Sequence, residues 1–236
     1  MKRLFRQLAL VVLAGSTAAG CALSMPGAGA AGAAPIVLAP EAFQPPSALP
    51  ALVNRGLGIE WHTCSDLLQA LRDDKVPEEV VEQQPFNAYE DCLPPALLAQ
   101  GRAPGSAGPG AKDAGERLYR DLDLSTVPSA LAPRRPAEHY RLSDFSFASV
   151  KVEPLSVSVR DDAFSHELRV LAVGDFRRSG RSELLVRFTE RALNGGSYDR
   201  TSVLVVDGAP DGTTWSATDA LDVLRAPSSR GPETMH

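Results

Sequence analysis

The amino-acid sequence predicts an α+β protein: an antiparallel meander sheet of about five to six strands, preceded by a disulfide-stapled helical N-terminal segment. Three observations predict it. Apolar residues recur at helical spacing in 65–72, they alternate with a period of two beyond about residue 116, and the turns between the later apolar runs are short. The chain has 236 residues, 24 Lys+Arg against 29 Asp+Glu and a net charge of −5. That composition excludes collagen, a coiled coil and a polytopic membrane protein. It carries no general basic footprint, so nucleic acid is not an expected partner.

The N-terminus reads as an address. Lys2, Arg3 and Arg6 precede an apolar run over 8–14, and small residues then lead to Cys21. This is the order of a secretory signal, and the run is far shorter than the ~20 residues of a spanning helix. Ala18-Ala19-Gly20-Cys21 resembles a bacterial lipobox, departing from it at Ala18, where leucine is commoner. The resemblance implies a signal peptide over 1–20 and a lipid on Cys21. Ala22 in place of an aspartate then implies delivery to the outer membrane in a host that has one. The competing expectation is ordinary cleavage near Ala28-Gly29-Ala30, which would release a periplasmic or secreted chain.

Residues 21–50 are rich in Ala, Gly and Pro with almost no charge beyond Glu41, and read as a flexible tether spanning on the order of 30 Å. Setting Cys21 aside leaves Cys64 and Cys92, an even pair in a compartment that permits disulfides. A bridge is expected, worth roughly 3–4 kcal/mol by loop closure. A metal site on His62-Thr63-Cys64 lacks a second ligand pair at zinc spacing.

Residues 51–100 form the helical segment and carry nine acidic against three basic residues. Leu67, Leu68 and Leu71 predict an amphipathic helix capped by Ser65 or Asp66. Glu78 to Glu82 would form a second short helix after Pro77, and Pro94-Pro95 would open a last one through Leu97 and Leu98. The acidic run reads as a solvated face or a docking surface for a basic partner. The five glycines and two prolines of 101–115 read as a loop within one domain, since 51–100 is too short for a core of its own.

The β-rich part runs over 116–227. Phe145, Phe147, Val150 and Val152 mark a first strand, Pro154 a bend, and Leu155, Val157 and Val159 a second. Strands follow over 166–173, 183–191 and 198–206, the last two joined by Asn194-Gly195-Gly196. A short strand around Trp215 precedes a helix capped by Thr218, and 228–236 reads as a disordered tail. Helices are expected to seal one face of the sheet.

The stretch over 174–186 resembles the loop of FG-GAP and integrin-type repeats, in which Asp-x-Asp-x-Asp-Gly-x-x-Asp precedes an apolar strand and binds calcium. Asp175, Gly180, Glu183 and the following Leu-Leu-Val match, once only, so a propeller does not carry over. The oxygen-ligand positions hold Asp175, Arg177, Ser179 and Glu183, with Arg178 alongside, which places positive charge where the ion would sit. The expectation is that a guanidinium from Arg177, Arg178 or Arg181 takes the ion's place and pairs with Asp175 and Glu183. The lone loop and the cysteine-paired N-terminal half together resemble bacterial envelope lipoproteins of no known activity.

Of the four histidines, His166 at a strand start reads as a surface residue, and no hydrolase elbow, phosphate loop or His-Glu-x-x-His helix occurs. Asp73-Asp74, Glu90-Asp91 and Asp161-Asp162 are paired carboxylates in turns. Arg169, Arg187, Arg191 and Arg200 fall on neighbouring strands and would either line an exposed face or pair with the acidic helical half. The expected function is a lipid-anchored, non-enzymatic cell-envelope protein with no cofactor, bound to the membrane by its lipid and to an envelope protein by its domain. The rival expectations are a secreted or periplasmic enzyme acting on cell-wall glycan, and an inhibitor or immunity lipoprotein.

Overall fold

The computed structural model describes residues 33–54, 59–75, 83–129, 140–209 and 212–225. The second short helix expected at 78–82 and the tail at 228–236 lie outside them. The fold is α+β, with β1 (Ile36–Val37), β2 (Leu52–Asn54) and β3 (Ile59–Trp61) leading into α1 (Cys64–Arg72), α2 (Gln83–Glu90) and α3 (Leu93–Gln100). Then come α4 (Ala114–Asp121), β4 (Ser149–Glu153), β5 (Ser156–Arg160), β6 (Phe164–Gly174), β7 (Glu183–Ala192), β8 (Asp199–Gly208), β9 (Trp215–Asp219) and α5 (Ala220–Arg225). β4 to β9 form one antiparallel sheet in chain order, the predicted meander, and β1 adds to β6 where β5 has ended.

Sequence chemistry sets the ends of the elements. Thr63 caps α1 by accepting from the Asp66 N–H, while Asp66 accepts in return from the Thr63 N–H, a reciprocal box that displaces the expected Ser65 cap. Asp219, rather than Thr218, accepts from the Leu221 N–H at the start of α5. Cys64 opens α1 and Cys92 precedes α3, and their disulfide, with Cα atoms 5.3 Å apart, ties the two helix starts together.

Several expected boundaries shift. Residues 33–44 are part of the fold: β1 pairs with Ala172 and Val173, Leu38 N–H donates to Leu171 O, and Ala39 and Ala42 are buried. The tether expected over 21–50 therefore does not include 33–44, and residues 21–32 lie outside the described residues. The segment over 51–100 also contains the antiparallel β2–β3 pair, and helix α4 begins inside the Gly/Pro-rich stretch at Ala114. Gly115 is required there, because a Cβ would lie 2.0 Å from the Glu153 carbonyl of the β4–β5 turn. Phe145 and Phe147 precede β4 instead of belonging to it.

Both faces of the sheet are covered, not one. On the first, α1, α2, α3 and α5 pack Leu67, Leu71, Tyr89, Leu93 and Leu97 against Leu171, Leu185, Val203 and Val205. On the second, α4, residues 122–127 and Leu142 pack Leu118, Leu122, Leu124 and Leu142 against Leu168, Val186, Phe188, Leu204 and Val206. Burial on both sides explains why 203–206 reads as an unbroken apolar run.

Strand β9 reaches only as far as Leu204, which leaves the outer edge of β8 open over 199–203. Helix α2 closes it with side chains. Asn87 donates to Asp199 O at 2.6 Å and accepts from Thr201 N–H at 3.0 Å, and Glu90 accepts from Val203 N–H at 2.9 Å. The result satisfies backbone groups that would otherwise invite another strand.

Candidate functional site

The register fixes which strand residues stand side by side. On the helix-covered face, one row reads Lys151, Ser158, Glu167, Thr189 and Thr201, and the next reads Glu153, Ser156, Arg169, Arg187 and Val203. The row beyond is apolar, with Leu171, Ala172, Leu185 and Val205. The change coincides with a β-bulge: Val170 faces Val186 and Ala172 faces Leu185, so Leu171 is the extra residue. Leu171 and Ala172 therefore both enter the helix-side core, and the polar rows begin immediately beyond them.

A groove of about 290 Å³ lies at this border, between the polar rows, the 3₁₀ turn Pro40–Phe43 and the α2–α3 junction. Glu41, Gln44, Asp91, Glu167, Arg169 and Arg187 supply its polar lining, with Leu171 at its apolar end. Arg169 and Arg187 are direct cross-strand partners, a like-charge pair that destabilises a sheet unless neutralised. Each is neutralised from the covering layer, Arg169 by Glu41 and Arg187 by Asp91. The Glu41 carboxyl is held below its usual range, first by a bond from its own backbone N–H and further by Arg169. Arg187 Nε is buried at the groove with no hydrogen-bond partner among the described residues.

Of the four arginines expected on one face, three are there. Arg191 pairs with Asp199 at 3.3 Å, while Arg200 lies on the opposite face and donates to Ser202 Oγ. The pairing of Arg187 with Asp91 realises the expected contact between the strands and the acidic helical half.

The loop over 174–183 divides its acids between two jobs. Asp175 accepts from the N–H groups of Ser179 at 2.7 Å and Gly180 at 2.8 Å, and closes the turn in which Arg178 and Gly180 have positive φ. Glu183, fully buried, accepts from Phe176 N–H, Arg177 N–H and the Arg177 guanidinium. Arg177 also reaches Asp207 at 3.0 Å. A guanidinium thus pairs with Glu183 but not with Asp175, and it comes from Arg177. Arg178 turns away to the Gln100 carbonyl, and Arg181 to Asp207 and the Gly208 carbonyl. Among the described residues no three His, Cys, Asp or Glu side chains converge as a metal cage.

His166 is not on the surface. Its Nδ1 lies 2.9 Å from Glu190 Oε1, both side chains have zero exposure, and the ring sits among Phe147, Phe164 and Phe188. Ser129 Oγ and Tyr198 OH donate to the same carboxylate at 2.6 and 3.1 Å. Burial pushes the Tyr198 hydroxyl pKa up, and the Glu190 charge adds to it. Serine, histidine and glutamate are assembled here, but the serine bonds the acid and not the imidazole, and the imidazole has no exposed edge. The arrangement holds a core together and does not present a nucleophile.

The paired carboxylates are also in structural use. Asp161 accepts from Ala163 and Phe164 N–H in the β5–β6 turn, Asp73 meets Lys75, and Glu90 is buried on β8 while Asp91 holds Arg187. Sequence reasoning missed Glu41, Asn87 and Glu190 as partners. Each bonds a residue 24 or more positions away, with no local pattern to announce it. No protein-family model, curated protein or solved structure matches the chain.

Proposed function

We propose that this chain is a lipid-anchored bacterial cell-envelope protein with a non-enzymatic role, whose domain docks an envelope protein in the charged groove at the edge of its helix layer. The observation that carries the reading is the allotment of its three cysteines. Cys64 and Cys92 are joined, as suits an oxidising compartment, and Cys21 is left at the end of a signal-like segment. The groove supports a protein occupant by its charges. It presents Glu41, Asp91 and Glu167 beside Arg169 and Arg187, with an unspent donor on Arg187, and so suits a surface bearing both signs better than a polyanion.

The intact mass of protein extracted from membranes tests the anchor. A chain beginning at Cys21 with added acyl mass, alkylated at two thiols only after reduction, is expected; a lipid-free chain beginning near residue 31 overturns it. A photo-cross-linker at Thr189, in intact cells, tests the groove. One recurrent envelope protein is expected, lost on Arg169→Ala plus Arg187→Ala. Adducts equal to those from Val150, on the exposed strand β4, refute the groove as the docking surface.

A further inference from the structure

The end of the sheet where the described chain begins carries two exposed arginines, Arg102 and Arg178. Residues 101–109 run beside the 175–182 loop: Arg102 and Asp175 exchange backbone hydrogen bonds at 3.1 and 3.0 Å, and Ser182 N–H donates to Ala107 O. The N-terminal strand enters at the same place. Ala33 O accepts from Ala103 N–H, and Pro35 packs so closely on Gly101 and Gly174 that a Cβ at either would lie within 2.9 Å of it. Arg178 Nε donates to Gln100 O, which holds its guanidinium two residues from Arg102.

The charges at this end are sorted by depth. Asp175 and Glu183 are buried and spent on the loop's own N–H groups and on Arg177, and Asp207 is taken by Arg177 and Arg181. Arg102 and Arg178 are exposed, and neither has an acidic partner among the described residues. Two cations without an acidic partner among those residues thus face solvent at this end, although the chain as a whole is acidic.

We infer that this Arg102–Arg178 end docks on anionic phospholipid headgroups. Its orientation rests on the anchored reading above, and covalent length supplies the argument. Only residues 22–32 separate Cys21 from Ala33, and eleven residues span at most about 38 Å when fully extended. That is about the length of β6, at roughly 3.4 Å for each of its 11 residues. The far end of the sheet, where Arg160 lies, would meet the lipid only with the connection drawn out along the whole strand. The Arg102 end needs almost none of that reach. A short connection also raises the local concentration of headgroups, so two arginines suffice where a free protein would need more.

Co-sedimentation of the full chain with vesicles tests this, using phosphatidylcholine alone or mixed with phosphatidylglycerol at physiological salt. The N-terminal signal-like segment contributes equally to every variant and cancels in the comparison. Arg102→Gln and Arg178→Gln are each expected to lower partition onto the phosphatidylglycerol vesicles about fivefold, and the pair about twenty-five-fold. Arg160→Gln, the same charge change at the opposite end, is expected to stay within about twofold of the parent. Equal losses from Arg160→Gln and Arg178→Gln, or losses of the same size on pure phosphatidylcholine, overturn the inference. The intact mass keeps the two readings separable: an unacylated chain whose partition still follows these arginines removes the anchor and leaves the surface, and an acylated chain indifferent to them does the reverse.

Discussion

The two faces of the sheet are built on the same strands and end differently. On the α4 side, Val157, Leu168 and Phe188 continue the apolar pattern across β5, β6 and β7, and each is buried. On the other side the same three strands carry Ser156, Arg169 and Arg187, or Ser158, Glu167 and Thr189, and only the stretch past the Leu171 bulge is apolar and covered. The difference teaches that alternation assigns residues to faces, while the extent of the covering layer decides whether a face becomes core or surface. Helices α1, α2, α3 and α5 cover the stretch of sheet beyond the bulge, and Glu41 of the Pro40–Phe43 turn and Asp91 of the α2–α3 junction meet the arginines where cover ends.

The comparison breaks most sharply at neighbouring residues of β7. Phe188→Ala, on the covered face, is expected to cost about 4 kcal/mol in urea unfolding, as full burial with a residual cavity requires. Thr189→Ala, one residue on and pointing to the polar rows, is expected to cost under about 0.5 kcal/mol. Comparable losses at the two positions would mean that the polar rows are covered in solution.

A second test concerns the edge that α2 closes. Burial holds the Glu90 carboxyl well above the usual 4.5, and nearby Asp219 pushes it the same way against the Val203 N–H. The folded chain then keeps this proton where the unfolded chain has lost it. Stability from Glu90 is full below its unfolded pKa and is lost as pH rises toward the folded one. Glu90→Gln is expected to flatten that decline, leaving stability at pH 4 unchanged and raising it by about 1 kcal/mol at pH 7. A loss at pH 7 would show that the charged form is the one the Val203 N–H requires. The smallest effect is expected in the groove: Arg169→Ala removes an exposed ion pair with Glu41 and should change stability by no more than about 0.5 kcal/mol. A larger loss would assign that pair to the fold and not to docking.

The strands were legible because their period is local. Leu155, Val157 and Val159 against Ser156, Ser158 and Arg160 announce β5, and Asn194-Gly195-Gly196, with Gly195 at φ +80°, announces the turn before β8. The disulfide was legible by counting. Helix α4 was not, since Gly115 weakens its propensity and is there for a close approach to Glu153 in the β4–β5 turn. Nor was the burial of His166, whose partner Glu190 lies one strand away at a register that no single-strand pattern encodes. The 33–44 stretch read as tether because it sits within 21–50, where Ala, Gly and Pro dominate, yet β1 needs only backbone hydrogen bonds to β6 to be held.

Composition and period, then, determined by themselves the α+β class, the meander order, the cysteine pair and the acidic residues of the 174–183 loop. These follow from neighbours a few positions apart, where side-chain alternation and turn chemistry act directly. Tertiary structure alone decided that both faces are covered, that Asn87 and Glu90 stand in for a missing strand beside β8, that Arg177 and not its neighbours meets Glu183, and that Arg102 and Arg178 share one end with the chain's entry. Each of these depends on register and on the reach of one layer over another, and distances of that kind arise only when the chain has closed on itself.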